Sequence, residues 1–243
     1  MKNKFLNGGY IAHKGFHNDK LPPNTIGAFE NAIKHGFAYE IDVRLSKDDK
    51  FGILHDENLK DLCGVDVNFE DIDSKDFDKY KIQNSDFCIP SLAEVLNLTS
   101  GKVAILIDVK CLKNAKKMAK ALYVELKDYN GEYAVQSSNP IFLHHFYKLM
   151  PNATIIYLCS KTWEGDKTAS CMVRKILYSL VLYNYSHAKY IACQYDEVNN
   201  NVIKKSKGNL ILWTIRNADL AKKLDGKYKG LIFENFTPNI TPC

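Results

Sequence analysis

The segment that decides the fold is AYEIDV, residues 38–43, in which apolar and acidic side chains alternate. A period of two is typical of a β-strand, so Glu40 and Asp42 share one face of the strand and their apolar neighbours share the other. The segment VAILIDV, residues 103–109, repeats the pattern and carries Asp108 next to its end. Strands of this kind predict a sheet that is covered by helices on its apolar face and turns acidic groups to the opposite side.

Further short apolar runs alternate with helix-like stretches along the chain, which is the order of repeated βα units around a parallel sheet. Eight runs are predicted as strands: Gly8–His13, Ala38–Val43, Val103–Val109, Tyr133–Ser137, Ala153–Leu158, Tyr190–Tyr195, Leu210–Ile215 and Gly230–Glu234. A short additional strand is predicted at Phe51–Leu54. Apolar residues three to four positions apart predict helices at Asn24–His35, Leu92–Leu98, Asn114–Lys127, Pro140–Leu149, Lys167–His187, Val202–Ser206 and Ala218–Leu224.

Eight strands with intervening helices predict an α/β fold, a closed (β/α)8 TIM barrel whose active site lies at the carboxyl ends of the strands. The length of 243 residues is ordinary for one such barrel, and no linker interrupts the alternation. We therefore predict a single domain over residues 1–243. An open doubly wound sheet is the competing topology, but neither G-x-G-x-x-G nor G-x-x-x-x-G-K-[ST] follows the first strand.

Composition excludes several classes of protein. The 33 basic and 28 acidic side chains give a net charge of +5, spread in short groups with Lys in excess of Arg, and this argues against a nucleic-acid partner. The seven cysteines form no metal-binding spacing, and their odd number does not suit a complete disulfide framework. The amino terminus has no apolar run of signal-peptide length, so we predict a reducing, cytoplasmic location.

Local signals predict two helix starts and one helix end. Asn24 and Asn139 stand where an N-cap belongs, and Gly36 follows the first helix as a stop. The most apolar helical stretch is Met172–Tyr185, which is too short to span a bilayer, since that takes about 20 residues. We interpret it as a helix covering the barrel; contact with a membrane surface or a second copy is the alternative.

Reactive side chains concentrate at the predicted strand ends. Glu40, Asp42 and Asp108 have apolar neighbours that face the helices, which places the three acids inside the barrel. Carboxylates packed together repel one another unless a cation compensates them, and oxygen ligands favour a hard divalent ion, Ca²⁺ or Mg²⁺. The alternative is a set of internal ion pairs, such as Glu40 with Arg44 and Asp108 with Lys110.

Two histidines, His13 and His55, each follow an apolar strand and precede a turn. Imidazole titrates near neutrality and is the usual carrier of general acid and base chemistry. Two of them beside carboxylates and cations suit displacement at phosphorus, in which one accepts a proton from the nucleophile and the other protonates the leaving oxygen. We assign no role to the remaining five: His17, His35, His144, His145 and His187.

At these residues the chain resembles the glycerophosphodiester phosphodiesterase family. The matching segments are IAHKG 11–15, PPNTIGAF 22–29, EIDV 40–43, HDENL 55–59, IPSLAEVL 89–96 and IDVK 107–110, followed by weaker ones at 212–214 and 230–232. The resemblance implies a TIM barrel, a divalent metal and hydrolysis of a glycerophosphodiester to glycerol 3-phosphate and an alcohol. It also implies a route in which the glycerol 2-hydroxyl attacks phosphorus and water opens the resulting cyclic phosphate.

In that family two histidines act as acid and base, three acids hold the metal and two basic residues contact phosphate. Carried over one by one, these roles fall on His13 and His55, on Glu40, Asp42 and Asp108, and on Lys14 and Lys110. Three positions depart from the family pattern: Lys14 replaces Arg, Pro23 replaces Glu, and Asp108 replaces a Glu that is one methylene longer.

The resemblance leaves other functions open. A related barrel phosphodiesterase would act on a lyso-phospholipid, a sphingolipid or a sugar phosphodiester, and a non-catalytic barrel would only bind a phosphate ligand. Both histidines are present, which argues against the second of these. The alcohol group, the choice between the two ions and the oligomeric state stay open at this point.

Overall fold

The computed structural model describes residues 4–82, 84–111, 113–159, 180–198, 203 and 209–238. Its strands are β1 Gly9–Ala12, β2 Ala38–Leu45, β3 Phe51–Ile53, β4 Ile105–Val109, β5 Tyr133–Ser137, β6 Thr154–Cys159, β7 Tyr190–Gln194, β8 Leu210–Ile215 and β9 Gly230–Phe233. Its α-helices are α1 Ile26–Lys34, α2 Lys60–Cys63, α3 Leu92–Thr99, α4 Ala115–Leu126, α5 Pro140–Leu149, α6 Leu180–Tyr185 and α7 Ala218–Leu224. Short 3₁₀ helices lie at Lys4–Leu6, Phe69–Asp71 and Ser74–Lys79.

Eight parallel strands close into a barrel. The strand order is β1-β9-β8-β7-β6-β5-β4-β2, and β1 also pairs with β2, which completes the circle. The remaining strand, β3, pairs antiparallel with β2 on the outside of this circle. The predicted (β/α)8 barrel is therefore confirmed, and the open doubly wound sheet is excluded.

Side-chain alternation separates two apolar layers. Residues such as Ile41, Ile107 and Val109 pack outward with the helices in the larger core. Inward-facing residues fill the barrel with a second, smaller core: Ile11, Ala38, Ala104, Leu106, Ala134, Ile156, Ala192, Ile211 and Ile232. Large and small side chains alternate from β1 to β8 in this inner layer, and isoleucines fill it at β8, β9 and β1.

The amino-terminal end of the barrel is closed by the first 3₁₀ helix. Phe5 and Leu6 are buried and pack against the inner core. The backbone approaches so closely there that a Cβ on Gly9 would lie 2.6 Å from the carbonyl oxygen of Phe5, which explains why this position carries glycine. The open end of the barrel is thus the one at which the strands end.

Two of the three predicted helix signals are confirmed. Asn139 caps α5 by accepting hydrogen bonds from two backbone N–H groups, and Gly36 follows α1 with a φ of +70°. The prediction for Asn24 is wrong, because Thr25 is the N-cap of α1 and accepts from the backbone N–H of Ala28. Asn24 instead adopts a φ of +59°, a left-handed conformation that asparagine tolerates better than most residues.

Two predicted helices fall largely outside the described residues. Of Lys167–His187 the structure describes only the part from residue 180 onward, which includes α6, and of Val202–Ser206 only residue 203. Tyr183 in α6 packs against the larger core, which agrees with a covering helix over this part of Met172–Tyr185. Across the described ranges, no helix combines the length and the apolar character that a bilayer crossing requires.

Candidate active site

Three acids meet inside the mouth of the barrel, as the strand pattern predicts. Glu40 and Asp42 project inward from β2, and Asp108 projects inward from β4 directly opposite Asp42 in the strand register. All three residues are buried, at 1–3% exposure, and a ligand oxygen of each lies within 4.8 Å of the others. This oxygen cluster has the size and the donor type of a hard-cation site.

Two lysines face these acids. The Nζ atom of Lys110 lies 2.8 Å from Asp42 Oδ1 and 2.6 Å from Asp108 Oδ2, and Lys14 Nζ lies 3.6 Å from Asp42 Oδ2. The internal pair Asp108–Lys110 therefore exists. The other pair that we considered does not form, because Arg44 donates its Nε–H to the backbone carbonyl of His55, at 2.8 Å.

The charged groups of the cluster shift one another's pKa. Burial raises the pKa of Glu40 well above its usual value, and the charges of Asp42 and Asp108 raise it further. For Asp42, burial acts in the same direction, but Lys110 and Lys14 outweigh it and hold the pKa of this carboxyl well below its usual range. A bound cation would therefore favour the ionised form of Glu40.

Asp42 is fixed by Asn24. The Asn24 side chain donates from Nδ2 to Asp42 Oδ2 at 2.9 Å and accepts from the backbone N–H of Asp42 at 3.3 Å. Lys14 has a φ of +54°, and in this conformation its backbone N–H donates to Glu40 Oε2 at 2.9 Å. Two left-handed residues therefore orient two of the three acids.

His13 follows β1 at the mouth of the barrel and is held by an acid that the sequence analysis missed. Its Nδ1 lies 2.5 Å from Glu234 Oε2, and the other oxygen of Glu234 lies 2.5 Å from Arg216 Nε. His17, to which we assigned no role, places its Nε2 3.6 Å from Glu234 Oε2. The Glu234 carboxylate thus contacts three basic side chains.

The protonation of this group follows from its contacts. Burial raises the pKa of Glu234, but hydrogen bonds from His13, His17 and Arg216 outweigh burial and hold the pKa well below its usual range. An ionised carboxylate only accepts hydrogen bonds, so Nδ1 of His13 carries the proton of their shared bond. Burial lowers the pKa of His13 itself, partly offset by the hydrogen bond to Glu234.

His55 reaches the same mouth from outside the barrel. It follows β3, and the backbone N–H of the preceding Leu54 donates to the carbonyl of Asp42 at 3.0 Å, which holds the segment beside β2. The His55 side chain is 35% exposed, and its Nδ1 lies 2.8 Å from Asp56 Oδ1. The structure therefore brings all seven predicted site residues to one end of the barrel, with His55 the most exposed.

Three inward-facing polar atoms at the mouth have no hydrogen-bond partner. They are Asp108 Oδ1, Gln136 Oε1 and Trp213 Nε1, and the same condition is found elsewhere in the described chain only for the hydroxyl of Tyr129. Buried polar groups are nearly always paired in folded proteins. Unpaired atoms concentrated at one mouth, among them a carboxylate oxygen of the acidic cluster, therefore indicate a ligand-binding site that fits a cation.

The comparison with known proteins identifies the family of this chain. Residues 13–236 match the Glycerophosphoryl diester phosphodiesterase family, and this chain belongs to that family of phosphoric diester hydrolases. A Glycerophosphodiester phosphodiesterase of Caldanaerobacter subterraneus is 27% identical over 93% of both chains. One from Bacillus altitudinis is 28% identical over 61% of this chain, and the human Lysophospholipase D GDPD1 is 32% identical over 54%.

The chain spans only part of some relatives: 65% of the Bacillus altitudinis protein and 45% of the human one are matched. Solved structures share the fold over nearly the whole chain. An Oleispira antarctica phosphodiesterase in complex with the product sn-glycerol-3-phosphate has a TM-score of 0.75 at 19% identity, covering 92% of both chains. A Thermotoga maritima glycerophosphodiester phosphodiesterase has a TM-score of 0.70 at 23% identity, covering 92% of this chain and 93% of that one.

Proposed function

We propose that this protein is a metal-dependent phosphodiesterase that hydrolyses glycerophosphodiesters to glycerol 3-phosphate and an alcohol. The observation that carries the proposal is the buried cluster of Glu40, Asp42 and Asp108, flanked by two lysines and by His13 at the mouth of the barrel. Family membership supports the reaction class, and the name of the Oleispira antarctica complex connects this fold with the expected product.

The three acids are the proposed metal ligands. Asp108 Oδ1 lacks a partner, and the pKa of Glu40 is raised although Lys110 and Lys14 act against this shift, so both acids fit a bound cation. Oxygen donors alone suit Ca²⁺ or Mg²⁺ rather than zinc. When bound, such an ion would polarise the phosphoryl oxygens and stabilise the charge that develops on them.

The two lysines are the proposed phosphate contacts. Lys110 and Lys14 already face the acids, and their Nζ atoms present positive charge to the open end of the barrel. A lysine is a compact point charge, so Lys14 attracts a phosphodiester without the planar two-point contact that an arginine would make.

His13 and His55 are the proposed acid and base. Because Nδ1 of His13 keeps its proton and donates it in the hydrogen bond to Glu234, Nε2 of this ring remains free to exchange a proton with substrate. One histidine accepts the proton of the glycerol 2-hydroxyl as its oxygen bonds to phosphorus. The other protonates the alcohol oxygen as its bond to phosphorus breaks, and water then opens the cyclic phosphate.

This route requires a free hydroxyl next to the ester, so we propose small deacylated phosphodiesters as substrates and no nucleic-acid partner. We propose further that residues 1–243 act as one domain, located in the cytoplasm.

The test of the proposed reaction is release of glycerol 3-phosphate from glycerophosphocholine and glycerophosphoethanolamine, with chelator and then with added Ca²⁺ or Mg²⁺. Chelation should abolish turnover and a divalent ion should restore it, whereas full turnover in chelator would refute metal dependence.

A second candidate substrate is a lysophospholipid, which also carries a glycerol hydroxyl. It is favoured by one observation, the name Lysophospholipase D carried by the human relative that is 32% identical over the matched part. Assays on glycerophosphocholine and lysophosphatidylcholine side by side distinguish the two substrates. A higher kcat/KM on the lysophospholipid would assign the protein to this second class.

A further inference from the structure

Gln136 is a buried side chain of the mouth that the proposed mechanism does not use. It lies in β5, directly opposite Asp108 of the neighbouring β4 in the strand register. Ala134 faces the inner core and Val135 the outer one, so the alternation of the strand points Gln136 inward, one level above Ala134. The residue is 3% exposed, and its Oε1 has no hydrogen-bond partner.

A second unpaired oxygen belongs to Asp108, the residue opposite Gln136 in the strand register. Asp108 uses Oδ2 for Lys110 and leaves Oδ1 without a partner. If the amide N–H of Gln136 satisfied the neighbouring carboxylate, Asp108 Oδ1 would be paired, and it is not. Two acceptors cannot satisfy each other, so each of these oxygens needs a donor or a cation as its partner.

A cation explains both atoms at once. Ca²⁺ takes six to eight oxygen ligands and readily includes the amide carbonyl of Asn or Gln, whereas Mg²⁺ keeps several waters and uses fewer protein oxygens. Asp108 is one methylene shorter than the glutamate usual in the family, and Gln136 supplies an oxygen from the next strand. Trp213 Nε1 carries a hydrogen and cannot bind a cation, so it does not belong to this set.

We propose that Gln136 Oε1 is a fourth protein oxygen on the divalent ion held by Glu40, Asp42 and Asp108, and that it makes the site selective for Ca²⁺ over Mg²⁺. The inference rests on the proposed function, since it concerns the same ion.

The test measures metal binding on the full chain, independently of turnover. Gln136→Met keeps the length of the side chain and removes the carbonyl, and Gln136→Glu replaces the carbonyl by a charged oxygen. By calorimetric titration, Gln136→Met should bind Ca²⁺ at least about 10-fold more weakly, with a smaller loss for Mg²⁺, and Gln136→Glu should bind Ca²⁺ more tightly. Ser137→Ala is the matched control, because Ser137 faces away from the mouth and bonds the carbonyl of Val109.

Each outcome decides the question. Equal Ca²⁺ affinities in wild type and a folded Gln136→Met protein would overturn the inference, and so would a rise in KM with unchanged metal affinity, which would make Gln136 a contact of the substrate. If Gln136→Met fails to fold, Gln136→Asn gives the same comparison with the carbonyl withdrawn by one methylene. Wild-type protein that binds no divalent ion at all would refute the proposed function itself.

Discussion

Glu234→Gln is the substitution that tests the acid–base assignment most directly. The carboxylate accepts from His13 at 2.5 Å and from Arg216 at 2.5 Å, one oxygen for each. A glutamine has nearly the same shape but offers one acceptor and one donor group, so it cannot accept from both partners. The ring of His13 would therefore lose either its fixed orientation or its fixed tautomer.

The magnitude follows from the strength of the lost contact. A hydrogen bond to a charged group contributes about 1.5–3 kcal/mol, and 1.36 kcal/mol corresponds to one pKa unit. Glu234 raises the pKa of His13 against the lowering effect of burial, so its neutralisation should lower the pKa of His13 further. Loss of a correctly oriented acid or base costs about 10²–10⁴-fold in turnover.

The assay is the pH dependence of kcat/KM, which reports the pKa values of the free enzyme. The limb that belongs to His13 should move to lower pH in Glu234→Gln: the acidic limb if His13 is the base, the alkaline limb if it is the acid. NMR titration of the ring nitrogens measures the same pKa without turnover. Glu30→Gln, on the exposed surface of α1, makes the same charge change far from the mouth and should alter neither limb. Unchanged limbs and wild-type turnover in Glu234→Gln would refute the role of Glu234.

Three further outcomes are expected. His13→Ala and His55→Ala should each lower kcat by about 10²–10⁴-fold with little change in substrate affinity. The loss of kcat in the double variant should be much smaller than the two single losses multiplied together. Wild-type rates in the single variants would refute the assignment of the two histidines as acid and base. Asp108→Asn should weaken metal binding by about 10–100-fold or more, because the ligand loses its charge; an unchanged titration would leave Asp108 only as the partner of Lys110. Asn24→Gly keeps the positive φ of this position but removes the hydrogen bond to Asp42. Metal affinity should therefore fall by about 10–100-fold in the same titration while the fold persists. Equal affinity would mean that Asn24 does not orient Asp42.

The inward direction of the acids could be derived from the sequence because a strand has a fixed period. Once the side chains of Ile41 and Val43 are assigned to the helix-facing side, those of Glu40 and Asp42 must point into the barrel. The same logic placed Asp108, and the family motifs located both histidines. Local rules therefore suffice wherever a residue's environment is determined by its immediate neighbours.

Long-range partners follow no such rule. Glu234 lies 221 positions from His13, and only the closure of β9 onto β1 brings the two together. An acid at the end of the last predicted strand was a usable signal, because every strand end of a closed barrel reaches the same mouth. The N-cap of α1 shifted by one residue for a comparable reason: Asn24 bonds to Asp42 on the neighbouring strand instead of to the helix.

The apolar core that fills the barrel, with Phe5 and Leu6 closing its amino-terminal end, has a kinetic consequence. Because the described core fills the barrel below the acids, the molecules of the proposed reaction should all enter and leave through the mouth: substrate, alcohol, water and glycerol 3-phosphate. The released alcohol carries no phosphate for a lysine to attract and should depart first, which leaves room for water. With Lys14 and Lys110 as the proposed phosphate contacts, glycerol 3-phosphate should leave last and should compete with the next substrate, so accumulated product should slow turnover in proportion to its affinity for the site.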